Sequence, residues 1–194
     1  MTARLRDQTE LRVKPRGRVV RRLARRTEFG SPRVLSVVRR RGNWLKVLVA
    51  ELDNGRRGWV RADAVALGST RWSLHVDRSA RRLVVKRAGR RRWSITVAVG
   101  RPANPTPLGR FAVTDKLSPN RPASPYGCCI LALTGHQTKL VPGWPGGDRL
   151  AIHATPQTSS IGQAASLGCL RAHTSSMRKL MKLVPVGSPV FIRA

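Results

Sequence analysis

Residues 152–155 (IHAT) and 166–171 (SLGCLR) are the stretch of sequence that decides the fold and chemistry of this chain. A short apolar run ending at His153 has the composition of a buried strand, and a spacer of small residues leads to a turn at Gly168 and Cys169. A thiol is a poor nucleophile until it loses its proton, which a nearby imidazole can accept. The pattern therefore predicts Cys169 as a nucleophile and His153 as its base.

The residue pattern alone leaves alternatives to this pair. Cys169 could be a structural cysteine beside a glycine turn. A catalytic imidazole must be oriented through its other ring nitrogen, by Asp148 or by a backbone carbonyl, while the N–H groups of the turn could bind an oxyanion. Metal binding is disfavoured, because His153 and Cys169 are only two credible ligands and the chain has no C-x-x-C pair.

The regions around this motif predict a mainly β chain. Short alternating or apolar runs separated by turn residues indicate strands near residues 34–38, 44–49, 58–65, 72–76, 83–85, 93–99, 109–114, 128–134, 149–153 and 190–192. One helix is expected near residues 175–183, where Met177, Leu180, Met181 and Val184 recur at helical spacing after a serine cap at 175 or 176.

From about residue 70 to 194 the sequence resembles the catalytic domain of the L,D-transpeptidases. That family carries a histidine, a spacer of mid-teens length, then S/T-H-G-C and a hydrophobic residue, which matches residue 153 and residues 166–170. Further matching segments are residues 106–111 (TPLGRF), 125–127 (PYG), 135–136 (GH) and 143–148 (GWPGGD). The resemblance implies a β-sandwich with one or two short helices.

The resemblance also implies catalytic roles. Cys169 would be the nucleophile and His153 the general base, oriented by the carbonyl of Ala154. The backbone amides near Gly168 and Cys169 would form the oxyanion hole. An activated Cys169 is expected to react with thiol reagents well below the ~8.5 at which a free thiol ionises.

Six further residues are candidates for substrate binding. Leu167 departs from the family, which usually has histidine there. Since the base role falls to the upstream histidine and Leu167 keeps its N–H, we expect activity. His136 would line the cleft or be a hydrogen-bonded structural histidine, Trp144 would cover the cleft or pack, and Tyr126 could do either. The six are Ser166, Leu167, Arg171, Tyr126, His136 and Trp144.

The implied reaction is peptidoglycan L,D-transpeptidation, in which a Cys acyl-enzyme forms 3→3 cross-links between stem peptides. No metal or cofactor is expected, carbapenem-type β-lactams would acylate Cys169, and the location would be the cell envelope outside the cytoplasm. Water as acceptor would make the chain an L,D-carboxypeptidase. A catalytically impaired wall-binding protein is the alternative from another class.

The N-terminal part resembles a bacterial SH3-like domain over roughly residues 20–67, through its W-L-x-V strand and G-W-V-x-x-x-x-V ending. We therefore expect an SH3-like β-barrel over 21–68, a short linker, and the catalytic domain over 70–194. Residues 1–20 are dense in arginine and are expected to be a flexible basic arm. They lack the apolar core of a secretory signal, so no export signal is visible.

The formal net charge of +29, from 38 Lys and Arg against 9 Asp and Glu, points to an anionic wall polymer or a membrane surface as a partner. An arginine-rich genome would also produce such a charge. Specific nucleic-acid binding is not expected, because only 5% of residues are aromatic and no nucleic-acid motif appears. Cys128 and Cys129 are expected to be small buried strand residues.

Overall fold

The computed structural model describes residues 1–119, 124–139 and 147–194. About half of these residues lie in strands, which confirms the prediction of a mainly β chain. The strands are β1 (Thr2–Leu5), β2 (Thr9–Arg12), β3 (Val19–Leu23), β4 (Val34–Arg41), β5 (Trp44–Leu48), β6 (Gly58–Arg61), β7 (Val65–Gly68), β8 (Trp72–Asp77), β9 (Arg82–Arg87), β10 (Arg90–Thr96), β11 (Val99–Gly100), β12 (Gly109–Leu117), β13 (Ile130–His136), β14 (Arg149–Ala154), β15 (Ala164–Ser166), β16 (Leu170–Ala172) and β17 (Pro189–Arg193).

Strands β1 to β7 form a seven-stranded sheet with the order β3-β2-β6-β5-β4-β1-β7, which we call the N-terminal unit. Its core is separate from that of the rest of the chain and includes Leu11, Leu45 and Val60, all fully buried. The segregation of two cores agrees with a division near residue 70. That the N-terminal unit is SH3-like stays a prediction.

The prediction of a flexible arm over residues 1–20 is wrong. Strand β1 lies between β4 and β7, and β2 pairs with β3 and β6. Ala3, Leu5 and Leu11 are buried in the core, whereas Arg4 is exposed. The physical reason is the period-2 alternation of a strand, which lets arginines face water while every second residue is buried.

The remaining strands form the C-terminal unit, an eight-stranded sheet with the order β10-β9-β8-β17-β12-β13-β14-β16 and a small parallel pair, β11-β15. Most neighbours are antiparallel, but β8 with β17 and β14 with β16 are parallel. The parallel pairing of β14 with β16 matters most for function. Cys169 directly precedes Leu170, the first residue of β16, so the pairing places Cys169 beside the strand that carries His153.

The predicted helix is confirmed as α1 (Thr174–Leu183), and a 3-10 turn covers Thr158–Ser160. Met177 and Leu180 are fully buried against the C-terminal sheet. The expected serine cap is wrong, because the helix begins one residue earlier and His173 occupies the N-cap position without a side-chain cap bond. No helix within the described ranges is long and apolar enough to cross a membrane.

Polar contacts join the two units. The Oγ of Thr27 donates to Oδ1 of the fully buried Asp115 at 2.5 Å. The side-chain amide of Asn54 donates to the carbonyl of His136 at 2.7 Å, and its oxygen accepts the N–H of His136 at 2.9 Å. Glu28 forms an ion pair with Arg149. These contacts fix the N-terminal unit beside β13 and β14.

Candidate active site

His153 is the fifth residue of β14, a strand held between β13 and β16. The strand is buried on both faces, and His153 is only 4% exposed. Its Nδ1 lies 2.6 Å from the carbonyl oxygen of Ala154, which can only accept a hydrogen bond. Nδ1 therefore carries the proton and Nε2 has the free lone pair. The geometry predicted for the Ala154 carbonyl is present; its catalytic role stays a prediction.

The turn that carries Cys169 is held by two buried hydroxyls. The Oγ of Ser166 accepts the N–H of Gly168 at 3.0 Å and donates to the carbonyl of Cys169 at 2.6 Å. The Oγ of Thr106 donates to the carbonyl of Gly168 at 2.8 Å and accepts the N–H of Gly100 at 2.8 Å. The turn is thus held on one side by Ser166 of β15 and on the other by Thr106 in the loop after β11.

Gly168 adopts a φ of +124°, in the region that L side chains rarely occupy. A Cβ added there would lie 3.3 Å from Cγ of Gln137. The turn therefore needs glycine for backbone conformation and for space beside the thiol.

The oxyanion role predicted for the Gly168 amide does not fit this geometry. Its N–H already donates to Ser166 Oγ, so this donor is spent on holding the turn. Among the described residues, the Cys169 N–H has no hydrogen-bond acceptor. The backbone amide of Cys169 is therefore the better candidate donor to an oxyanion. Ser166 lines the cleft as predicted, but at 1% exposure its hydroxyl serves the turn.

Gln137 is a contact of the nucleophile that the sequence did not indicate. Its Nε2 lies 3.7 Å from the Sγ of Cys169, and on the other side Sγ lies 3.8 Å from the carbonyl oxygen of Arg149. Its own N–H donates to the carbonyl of Asp148 at 2.6 Å. The only sequence signal for Gln137 was its position directly after Gly135 and His136. An isolated glutamine does not by itself indicate a chemical role.

Burial sets the protonation states of the pair. Burial raises the pKa of the Cys169 thiol, although the Ala151 amide, Gln137 and the charge of Arg171 act in the opposite direction. Burial also lowers the pKa of His153 to about 4, with Arg171 acting the same way and the hydrogen bond to Ala154 opposing it. Near pH 7 the resting pair is a neutral thiol and a neutral imidazole.

This neutral resting state differs from the thiolate that an activated Cys169 would present well below pH 8.5, while the expected reactivity of Cys169 with thiol reagents stays a prediction. The physical basis of such a thiolate is an imidazolium beside the sulfur, which stabilises it. In this site both partners are buried, and burial disfavours both charged forms. A proton must instead move from Sγ to His153 as Sγ attacks.

Tyr126 forms the wall of the cleft against the imidazole. Its ring meets that of His153 edge-on, with centroids 5.0 Å apart and an interplanar angle of 77°. The next residue, Gly127, has a φ of +59°, and a Cβ there would come within 2.7 Å of the Cβ of Ala154. Burial raises the pKa of Tyr126, and a negative charge on Cys169 would raise it further. Tyr126 is therefore an un-ionised aromatic wall of the site.

The cleft has a volume of about 70 Å³, enough for roughly two water molecules. It brings together five predicted site residues with the nucleophile. Its lining residues are Pro125, Tyr126, Gln137, Arg149, Ala151, His153, Ser166, Leu167, Cys169 and Arg171.

Two predicted substrate-binding residues lie elsewhere. His136 contacts the N-terminal unit: its Nδ1 lies 2.8 Å from Oδ2 of Asp148 and its Nε2 lies 2.6 Å from the carbonyl oxygen of Ala50. Both ring nitrogens are occupied, so the prediction that it lines the cleft is wrong and the structural alternative holds. The predicted role of Trp144 lies outside the described residues.

The interpretation of Cys128 and Cys129 as buried strand residues holds only for the burial of Cys129, since Cys128 is half-buried and neither residue lies in a strand. They are joined by a disulfide, and β13 begins only at Ile130. The left-handed turn at Gly127 precedes them and keeps this segment out of the strand. Cys169 is the free cysteine of the chain. Within the described ranges, no group of three or more His, Cys, Asp or Glu side chains is arranged to hold a metal ion.

The C-terminal unit thus combines a mainly β fold with a cleft that is lined by a thiol and an imidazole. The chain belongs to the L,D-transpeptidase catalytic domain (YkuD) family, whose profile matches residues 71–192. The match contains every residue of the cleft and all of the C-terminal sheet except its last residue, Arg193.

Two Bacillus relatives carry L,D-transpeptidase names. YkuD of Bacillus licheniformis is 34% identical over 96 residues, covering 50% of this chain and 50% of the relative. YkuD of Bacillus subtilis strain 168 is 28% identical over 121 residues, covering 62% of this chain and 65% of the relative. This chain thus spans only about half to two thirds of their lengths.

Solved structures support the same fold. L,D-transpeptidase 3 from Mycobacterium tuberculosis superposes with a TM-score of 0.54 at 15% identity, covering 71% of this chain and 74% of that one. Bd1075 of Bdellovibrio bacteriovorus superposes with a TM-score of 0.50 at 23% identity, covering 64% of this chain and 48% of that one. At these identities the likeness concerns the fold.

Proposed function

We propose that this chain is a peptidoglycan L,D-transpeptidase that forms 3→3 cross-links between stem peptides through an acyl-enzyme on Cys169. The observation that carries the proposal is the tautomer of His153. Because Ala154 holds the Nδ1 proton at 2.6 Å, only Nε2 can accept a proton. The family match and the shared cleft support the Cys169 thiol as the group that gives this proton.

The first half-reaction cleaves the donor stem. Sγ of Cys169 attacks the carbonyl that links the L-centre of meso-diaminopimelate to the terminal D-Ala, and its proton passes to Nε2 of His153. The Cys169 N–H stabilises the oxyanion. The C–N bond then breaks, the D-Ala amine takes the proton from His153, and a thioester remains.

The second half-reaction forms the cross-link. The side-chain amine of a second stem attacks the thioester carbonyl, and His153 accepts a proton from that amine. When the C–S bond breaks, the sulfur leaves as thiolate and recovers the proton from His153. Attack by water in this step would give hydrolysis instead, so the acceptor decides between transpeptidase and carboxypeptidase.

Arg171 is the best candidate to bind a carboxylate of the stem. Its register partner across the parallel strands is His153, and it lines the cleft. The other cleft arginine, Arg149, is engaged by the carbonyl of Leu133 and by Glu28. Within the described ranges Arg171 has no ion-pair partner. A guanidinium next to the reacting carbonyl suits the anionic end of a tetrapeptide stem.

We propose that β-lactams of the carbapenem type acylate Cys169 by the same route. L,D-transpeptidase 3 of M. tuberculosis has been solved with a faropenem-derived adduct. In this chain Sγ would open the four-membered ring by attack at its carbonyl, and His153 would pass the proton to the ring nitrogen. The narrow cleft implies that side chains such as Tyr126 and Gln137 move aside when an acyl donor enters. Since the substrate lies outside the membrane, we also propose an extracytoplasmic location.

Intact-mass spectrometry after incubation with a carbapenem tests the catalytic pair. Wild type should gain one adduct, Cys169→Ala none, and His153→Ala an adduct at a rate lower by about 10²–10⁴-fold, the usual contribution of a general base. His173→Ala is the matched control, because His173 is exposed and lies outside the cleft; it should react as wild type does. An adduct that persists in Cys169→Ala would refute the proposed nucleophile.

Incubation with tetrapeptide stems then separates the acceptors. A dimeric product with loss of D-Ala supports transpeptidation, whereas a monomeric tripeptide supports hydrolysis. A carbapenem adduct without turnover of stems would favour the catalytically impaired wall-binding protein.

A further inference from the structure

A second concave surface lies at the opposite end of the C-terminal sheet from the cleft. This surface is built on β8, β9, β10 and β17. Cys169 directly precedes β16, which lies at the other edge of the sheet. Leu74, Val76, Leu83 and Val85 turn inward and are buried. By the alternation of a strand, their neighbours face outward, and these form a pocket of about 460 Å³.

The outward residues are strongly cationic. Four cations line the pocket with a single carboxylate, that of Asp77. We call the four the cationic face: Arg82, Lys86, Arg91 and Arg193.

The charges of the cationic face are not balanced within the described residues. Lys86 lies directly opposite Arg91, an arrangement of like charges that destabilises a sheet. Asp77 lies opposite Arg82 and beside Arg193, but its Oδ1 already accepts the Ser79 hydroxyl and the Ala80 N–H at 2.8 Å each. None of the four cations forms a salt bridge with a described residue. A bound anion would relieve this repulsion.

The adjoining outward residues supply a rigid floor and one donor without a partner. The ring of His75 stacks on Phe191 with centroids 4.9 Å apart, and its Nε2 lies 3.0 Å from the Ser73 hydroxyl. The guanidinium of Arg110 lies over Phe191 at 5.3 Å, and its buried Nε has no hydrogen-bond partner among the described residues. Burial first, and then the charges of Lys86 and Arg193, lower the pKa of His75, in keeping with a positive potential here.

We propose that the cationic face binds a linear polymer of alditol phosphodiesters, which carries repeated phosphates but no bases. Arginine forks match phosphate oxygens, and cations on β9, β10 and β17, spread across four neighbouring strands, suit repeated charges along a chain better than one isolated anion. Lys86 and Arg82 lie four residues apart on β9, a span of about 13 Å along the strand.

The shape and chemistry of the surface favour a polymer over a membrane. Membrane-surface binding adds buried apolar side chains to the charge attraction. The exposed large apolar side chains of the described residues are Met1, Val13, Phe29, Leu67 and Leu108, and none of them lines this pocket. A concave sheet face can admit a single polymer chain, whereas a flat bilayer would reach only its rim.

This site shares no lining residue with the catalytic cleft and does not depend on the chemistry of Cys169. Binding there would hold the enzyme on a wall polymer while leaving the cleft open to stem peptides. The proposal can therefore fail or hold independently of the proposed function.

Binding of poly(glycerol phosphate), measured by isothermal titration at several salt concentrations, tests the proposal. The triple variant Lys86→Gln, Arg91→Gln, Arg193→Gln removes the site. Its matched control, Arg39→Gln, Arg40→Gln, Arg41→Gln, removes the same net charge from exposed positions on the N-terminal unit. Thermal unfolding of all three proteins checks that they remain folded.

At 0.15 M salt the site variant should bind roughly 50-fold more weakly than wild type, and its log–log salt slope should be shallower by about two, from three lost phosphate contacts. The control should retain near wild-type binding. Equal losses in both variants would reduce the effect to net charge and overturn the proposal. Site-dependent binding to anionic vesicles but not to the polymer would also overturn it, as would tighter binding of an oligonucleotide of equal phosphate number.

Discussion

Acidification should destabilise the protein through His153. Its pKa in the folded state is about 4, against 6.5 for an unperturbed histidine. The unfolded chain therefore binds more protons than the folded one between these values, and the free energy of unfolding falls as the pH is lowered through this window. For this group alone the loss from pH 7 is about 2 kcal/mol at pH 5 and about 3 kcal/mol at pH 4.

Urea denaturation at pH 7, 6, 5 and 4 of wild type and His153→Gln measures this loss, because carboxylates that titrate in both proteins cancel in the difference. The difference between the two free energies of unfolding should shrink by about 2 kcal/mol from pH 7 to pH 5. His173→Gln is the control, since it removes an exposed histidine, and its difference from wild type should not change with pH. A pH-independent difference for His153→Gln would refute the neutral, buried base.

Three further outcomes follow from the site and the unit contact. Alkylation of Cys169 by iodoacetamide in His153→Ala, followed by mass spectrometry, should keep rising above pH 9, because burial raises the thiol pKa; a plateau below pH 8 would contradict this. Ser166→Ala should lower the free energy of unfolding by about 1–3 kcal/mol in urea denaturation, because the Gly168 N–H loses its acceptor. It should also slow carbapenem acylation measured by mass spectrometry. If neither quantity changes, Ser166 does not hold the turn. Thr27→Val should lower the free energy of unfolding by about 1–3 kcal/mol in urea denaturation, because the fully buried Asp115 carboxylate loses its hydroxyl donor; an unchanged value would contradict this.

The neutral resting pair has a consequence for reactivity. A thiolate–imidazolium pair attacks any accessible electrophile. A neutral thiol in a cleft of about 70 Å³ would attack only when two conditions are met: the acyl donor displaces the wall residues, and a proton moves to His153. Selectivity for an acyl donor that fits the cleft would come from this coupling. It would also keep the free Cys169 from oxidation, since susceptibility follows thiolate character and exposure.

Two histidines of the chain, His153 and His136, differ in how their ring nitrogens are hydrogen-bonded. His153 has one ring nitrogen held and one free, which suits a base. His136 has both ring nitrogens held, by Asp148 and by Ala50 of the N-terminal unit, which suits a structural contact. The residue type is the same, and only the number of occupied ring nitrogens separates the two roles.

Local pattern predicted much of this protein. Strand positions such as β4, β5 and β14 follow from alternation and apolar runs, and α1 follows from its apolar spacing, because these periods arise from backbone geometry. The His153 and Cys169 pair was visible because its family keeps a short, dense motif around the thiol. The same local argument failed for residues 1–20, where the charge of the arginines hid an alternation that only strand pairing makes visible.

The sequence by itself determined the mainly β architecture and singled out Cys169 and His153 as the candidate nucleophile and base, since each depends on residues close together in the chain. Tertiary structure alone decided that Gln137 touches the thiol, that the Gly168 amide is spent on Ser166, and that His136 joins the two units. It also decided that burial keeps the catalytic pair neutral. These features depend on distances between segments far apart in the chain and on the water each group loses, and neither quantity is encoded at any single position.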